Sequence, residues 1–131
     1  MTIAITAASG RLGHAILREL ARQGRAGDVV AVARDPRRVQ VPGIETRRGD
    51  YGSVAGMAAA LAGADTVIMI SAPVAGGAER IPLHRNVIEA ARQVYTSLQR
   101  ARRRSARPPK RLRSSKSGAL TSSRSGSPNN R

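Results

Sequence analysis

This sequence has no cysteine. That absence removes disulfides, thiolate nucleophiles and cysteine-ligated metals together, and makes a reducing cytoplasm the default expectation. The opening MTIAIT lacks the basic and long apolar stretches of a secretory leader. The longest apolar run, around Thr66 to Pro73, falls far short of a membrane span. The last 32 residues, Arg100 to Arg131, have no acid and only five aliphatic residues, Ala101, Ala106, Leu112, Ala119 and Leu120, against eleven Lys or Arg. So little apolar surface cannot offset the entropy of ordering, and disorder is expected there. Of the formal net charge of +15, +11 belongs to this segment and +4 to residues 1–99, so the high pI describes an appendage.

What remains is enough chain for one ordinary domain. Thr2–Thr6 is a short β-prone run, followed by GRLGHAILRELARQG, in which Leu12, Ala15, Ile16 and Leu20 fall on one helical face and Gly24 closes the helix. DVVAVAR reads as a strand covered on both faces, GIETRRGD as a weaker one, and SVAGMAAALAG as a helix that Ser53 caps and Gly63 ends. ADTVIMISAP is the strongest strand signal, AERIPLHRNVIEAAR the helix after it, and VYTS a last short β-prone run. Strands alternating with helices, without hairpin dipeptides, predict parallel βαβ units in a doubly wound α/β sheet. The expected division is an α/β domain over 1–98 and a disordered basic Arg/Ser-rich tail over 99–131.

The turn after the first strand carries Ala7, Gly10 and Gly13, the spacing G-x-x-G-x-x-G with alanine first. Glycines there let the backbone bend, approach a pyrophosphate and bring helix close to strand, whereas a Cβ at the first position resists positive φ. A structural turn is the bland reading; the strand–turn–helix context favours dinucleotide binding. At the end of the second strand stands Arg34, which suits a 2′-phosphate and favours NADP(H), while the adjacent Asp35 keeps NAD(H) open.

ITAASGRLGHAIL, VARDP, RRGDY, VIMISAP, HRNVIEAAR and VYTSL, in that order, resemble the NmrA-like atypical short-chain dehydrogenases/reductases, in the NAD(P)H:quinone oxidoreductase type 2 branch. The resemblance covers residues 1–99. It implies a Rossmann fold that binds the nucleotide through Thr6, Ala8, Ser9, Gly10, Arg11, Leu12 and Gly13 of the turn and through Arg34. It further implies Asp50 and Tyr51 near the adenine and Ser71, Ala72 and Pro73 beside the nicotinamide. Enzymes of the branch pass hydride to quinones; its regulatory members hold the nucleotide as a redox signal.

No catalytic residue is assigned. The Tyr-x-x-x-Lys pair of classical members is absent, since Tyr51 is followed at that distance by Ala55 and Tyr95 by Gln99. His14 reads as a helix-surface residue, His84 as an early helix residue and Ser97 as a turn or cap residue, and neither histidine has a metal-ligand partner at suitable spacing. Relatives place a loop and the start of a fifth strand between EAAR and YTS, where this chain has Gln93 and Val94 alone. A helix needs about 2 to 6 residues to reverse into a parallel strand, so either the last helical turn unwinds or the fifth strand does not form. None of the region with which relatives cover the nicotinamide is recognisable after Gln99. This marks the domain as truncated, with weak or absent quinone turnover. Three readings of the tail stand: out-of-frame or degenerate sequence, a segment that binds nucleic acid or another polyanion by counterion release, without an aromatic residue for base stacking, or an unrelated linker.

Overall fold

Apolar residues alternate along the first two strands so that both faces of a sheet are buried, and this fixes the layers. In the computed structural model, which describes residues 1–72, 76–106 and 126, β1 (Ile3–Ile5) and β2 (Val29–Ala33) are buried at every position. Ile3, Ile5, Val29 and Ala31 pack on one side with Leu17 of α1 (Arg11–Arg22). Ala4, Val30 and Val32 pack on the other with Met57 and Leu61, at α2 (Val54–Ala60) and just after it, and with Val87 and Ala90 of α3 (Gly77–Ser105). The expected α/β doubly wound parallel sheet is present: four strands in the order β3-β2-β1-β4, with β3 spanning Glu45–Arg48 and β4 Thr66–Ile68. The register sets Ile3 beside both Val29 and Thr66, and Val30 beside Glu45.

Local chemistry explains the element ends. Gly24 follows α1 at φ +73, and Gly63 follows α2 at φ +78. Ser53 caps α2 by accepting from Gly56 N at 3.1 Å. β3 reads weakly because it is an outer strand with mostly exposed side chains; its Arg47 nonetheless reaches across to donate to the carbonyls of Ala60 and Ala62, at 3.1 and 2.6 Å, at the negative end of α2.

Two expectations are corrected. The buried face of α1 runs through Gly13 and Leu17, with Ile16 and Leu20 partly covered, whereas Leu12 is 59% exposed and Ala15 faces solvent. VYTS is helical: α3 continues without a break to Ser105, and Ser97 Oγ donates to Gln93 O at 2.9 Å instead of standing at a strand end. Of the two outcomes the short connection allowed, the fifth strand does not form. Leu98, Gln99 and the arginines that follow favour helix, and Arg102 ties its end to Asp65 at 3.3 Å. The boundary expected at residue 98 therefore falls within α3, and residues 99–105, expected to be disordered, are helical. The expectation for residues beyond Ala106 concerns positions that, Gly126 apart, lie outside the described residues. Among the described residues no helix is long and apolar enough to cross a membrane.

Gly13 sets how closely α1 approaches β1. A Cβ there would come within 2.7 Å of Ala7 O and Ala8 Cα, both backbone atoms that cannot swing aside. Gly13→Ala is therefore expected to destabilise the fold by about 1–3 kcal/mol, the usual cost of overpacking. Urea unfolding followed by helical circular dichroism measures this, and a loss below about 0.5 kcal/mol would contradict the close packing.

Candidate functional site

Parallel strands deliver their C-terminal ends to one side of the sheet, and there the chain leaves β1 at Thr6. Ala7 takes φ 50, a left-handed conformation that costs a residue with a Cβ about 1–2 kcal/mol. Its neighbours hold it: Gly10 N donates to Ala7 O at 3.1 Å, and Ala8 N to Val32 O at 3.0 Å. The alanine in the first glycine position thus strains the turn without preventing it.

α1 starts immediately afterwards. Its N-cap, Gly10, has extended backbone with no side-chain cap, and the first turn holds no acid. Among the described residues no side chain caps the first amides of the helix at its positive end, the arrangement that receives an anion. Gly10 lines a cleft of about 410 Å³, together with Ala7, Ser9, Ala33, Arg34, Arg38, Gly49, Asp50, Tyr51, Ala72 and Leu83. A Cβ on Gly10 would stand 3.3 Å from Ala7 O, so glycine keeps this wall low.

Charge in the cleft is sorted by a local ion pair. Asp35 caps the short 3-10 turn Pro36–Arg38, accepting from Arg37 N at 3.2 Å and from the Arg37 guanidinium at 3.0 and 3.2 Å. The Arg37 hydrogen bonds hold the Asp35 carboxyl below its ordinary range. Among the described residues no acid is paired with Arg34, which faces the cleft with Arg38. The nearby Asp50 turns its Oδ1 back to accept from Gly52 N at 2.8 Å.

Beneath the cleft lies a closed ring of hydrogen bonds. Tyr51 Oη donates to Ile70 O at 2.5 Å and accepts from buried Thr6 Oγ1 at 2.5 Å, and Thr6 Oγ1 in turn accepts from Ile70 N at 3.2 Å. Burial pushes the Tyr51 hydroxyl above its ordinary range, partly countered by the Thr6 bond. Asn86 Nδ2 donates to Tyr51 O at 2.9 Å, and the His84 ring meets Tyr51 edge-on with centroids 6.4 Å apart. His84 Nε2 accepts from Ala72 N at 3.1 Å and lies 3.4 Å from Ser71 Oγ, so its ring proton belongs on Nδ1.

Of the residues singled out in the sequence, Ser9, Gly10, Arg34, Asp50, Tyr51 and Ala72 meet in the cleft. Thr6, Ala8 and Gly13 are buried below it. Arg11 and Leu12 are exposed on the first turn of α1 outside the lining, Ser71 is exposed beside His84, and Pro73 lies outside the described residues. Ala33, Arg38, Gly49 and Leu83 were missed, as was the bond by which His84 holds the segment after β4. Arg38 had a signal in RDPRR, one turn beyond Arg34; Leu83 had none, since the fold alone brings it back. His14 is half-buried and accepts from Gln40 N at 3.2 Å, fastening α1 to the loop before Val41. Among the described residues no group of three or more His, Asp or Glu converges to hold a metal.

Comparison with known proteins agrees with this geometry. The family model described as NAD(P)H-binding matches residues 7–99. Quinone oxidoreductase 2 of Escherichia coli K12 is 40% identical over 105 residues, which cover 73% of this chain and 36% of that protein. The structure of the NADPH-dependent quinone oxidoreductase from Escherichia coli in complex with NADPH superposes with a TM-score of 0.66 at 40% identity, over 71% of this chain and 33% of that one. The triphenylmethane reductase of Citrobacter sp. complexed with NADP(H) does so at 0.67 and 31% identity, over 72% and 34%. This chain thus spans about a third of the length of these relatives.

The hydrogen-bond ring predicts an alkaline transition. A hydroxyl whose folded pKa is raised favours the fold below the unfolded value and loses that contribution as pH climbs through the folded one, so stability should fall from about pH 10 upward. Tyr51→Phe should abolish that fall and cost about 1–3 kcal/mol at neutral pH, because Thr6 and Ile70 lose a buried partner. With two tyrosines and no tryptophan in the chain, phenolate absorbance reads the titration directly. An unchanged alkaline profile in Tyr51→Phe would show that the ring is not its source.

Proposed function

The chain belongs to the NAD(P)H-binding family, and on that premise we propose that its cleft prefers NADP(H) over NAD(H). The observation that carries this is the pairing of Asp35 with Arg37 while Arg34 and Arg38 face the cleft. NAD(H) recognition draws on an acid at the end of the second strand to meet the ribose hydroxyls, and here that acid is occupied. Two guanidiniums suit a phosphate instead. In this reading Ser9, Gly10 and the first amides of α1, at Arg11, Leu12 and Gly13, take the pyrophosphate over a floor made by Thr6 and Ala8. Asp50 and Tyr51 border the adenine, and Ser71, Ala72 and Pro73 run toward the nicotinamide.

When bound, the dinucleotide supplies a transferable hydride. The chain's own part is to orient it and keep water from one face. From the name and likeness of the relative, a quinone is the proposed acceptor, with weak or no turnover. That weakness is inferred from the continuous α3, which runs through the positions where a fifth strand was expected and leaves the described sheet at four strands, and from the Tyr51 hydroxyl, which is tied in its ring. The same bonding favours a second reading, in which the nucleotide is held as a redox signal. Residues 107–131, with seven Lys or Arg and no acid, are proposed to add sequence-independent affinity for polyanions, apart from the cleft.

Isothermal titration should show NADPH binding more tightly than NADH, with Arg34→Ala removing about 1–3 kcal/mol of the difference, the scale of a charge-assisted hydrogen bond. Equal affinities in the unmodified protein would overturn the preference. In steady-state assays with NADPH and a simple benzoquinone, the rate should stay close to the nonenzymatic background. Saturable turnover in the ordinary enzyme range, about 1–1,000 per second, would replace this reading with an active reductase.

A further inference from the structure

The part of the cleft wall formed by Ala72 stands beyond the sheet. β4 ends at Ile68, and the bonds around Tyr51 reach as far as Ile70. Two residues later the backbone is held from the side: Ala72 N donates to His84 Nε2 at 3.1 Å, and the same nitrogen lies 3.4 Å from Ser71 Oγ. His84 comes from α3, next to Leu83, and Leu83 and Ala72 both line the cleft. One ring nitrogen thus couples α3 to a stretch of wall that the strand ladder does not fix.

A backbone amide can only donate, so this bond requires a bare Nε2. Protonation, which histidine undergoes between about pH 5 and 8, turns that acceptor into a donor and sets two N–H groups against each other. Ser71 Oγ can then accept from the new N–H, which leaves Ala72 N without its partner. Among the described residues no ion pair joins a carboxylate to His84. Tyr51, from the turn before α2, meets the ring edge-on, and its neighbour Asp50 turns Oδ1 to Gly52 N. The strand β4 and the helix α2 carry no ionisable side chain, and on α3 the charged residues within four positions are Arg80 and Arg85.

We propose that His84 is a positioning residue for the dinucleotide: neutral, it holds Ala72 in the cleft wall, and on gaining a proton it releases that wall, so the site loses affinity in mild acid. The inference rests on the dinucleotide reading of the cleft. A ligand that meets an ordered wall does not bear the cost of ordering it. Losing one neutral hydrogen bond lowers the population of ordered wall by about three- to tenfold, and the apparent dissociation constant rises by the same factor.

The chain has two histidines, so a full-length His14→Gln parent leaves His84 as the one imidazole to observe. Long-range proton–nitrogen NMR of the ring should place the neutral proton on Nδ1, and the Ala72 amide resonance should move with the same midpoint as the ring. Calorimetric titration with NADP⁺ at about pH 8 and about pH 5.5 reads the affinity. The 2′-phosphate takes up its own proton at about pH 6, a loss common to every variant, so the comparison is between chains. His84→Gln offers Ala72 N an amide oxygen that does not titrate, and the parent should lose about three- to tenfold more affinity in acid than this variant does. His84→Ala, with no acceptor, should bind about three- to tenfold more weakly than His84→Gln at the higher pH and lack the extra acid step. Circular dichroism at both pH values checks that each chain is folded. Equal acid losses in the parent and in His84→Gln, or a neutral ring proton on Nε2, would overturn the proposal. Failure of NADP⁺ to bind at the higher pH would instead remove the dinucleotide reading; the ring tautomer and the Ala72 amide need no ligand and still decide whether His84 holds and releases the wall.

Discussion

The hydrogen-bond ring among Thr6, Tyr51 and Ile70 holds together what the rest of the site depends on. It joins the exits of β1 and β4 to the turn that leads into α2, three segments far apart in sequence. Without it the strands would still pair, since their ladders are backbone bonds. The position of the segment after β4 would be lost, however, because Tyr51 and His84 grip it from two sides. A tyrosine serves here as a buried strut. Its aromatic body fills the core beside Met57 while its polar tip satisfies a backbone carbonyl that would otherwise be buried unpaired.

The layers and the turn were legible in the sequence because they are written locally. Alternation in IAI and VVAVA assigns residues to the two faces, and Gly10 and Gly13 mark a place where helix and strand meet at close range beside the cleft. The depth of α1 was not legible. Periodicity picked the face with Leu12, but the close approach at Gly13 rotates the buried stripe toward Leu17. VYTS misled because β-branched and aromatic residues register as strand, while the decision lay in the missing loop before them and the helix-favouring run after them. Tyr51 and Arg34, singled out in the sequence, both line the cleft. The ring of bonds under one and the Arg37 pairing beside the other are properties of three-dimensional neighbours that no local pattern carries.

Charge is arranged on two scales in this molecule. At the end of β2, one short-range pair decides which sign the cleft presents: Arg37 takes the carboxylate of Asp35, and the remaining guanidiniums set the local potential. Along α3, Glu89 pairs with Arg92 and Asp65 with Arg102, and successive arginines toward its end face the negative pole of the helix. Helix continuity through residue 105 is thus electrostatically reasonable as well as sterically forced.

β4 is the outer strand of the described sheet, and Ile68 and Met69 near its end are each 38% exposed. An edge of this kind, unpaired among the described residues, offers its N–H and C=O groups as a template for another strand, including that of an identical chain. A net charge of +15 keeps identical chains apart before their edges meet. That protection is a property of the solvent as much as of the protein: at an ionic strength of 1 M the screening length shrinks to about 3 Å, less than the spacing of two paired strands. Concentrated salt would then leave colloidal stability to three residues of bare strand.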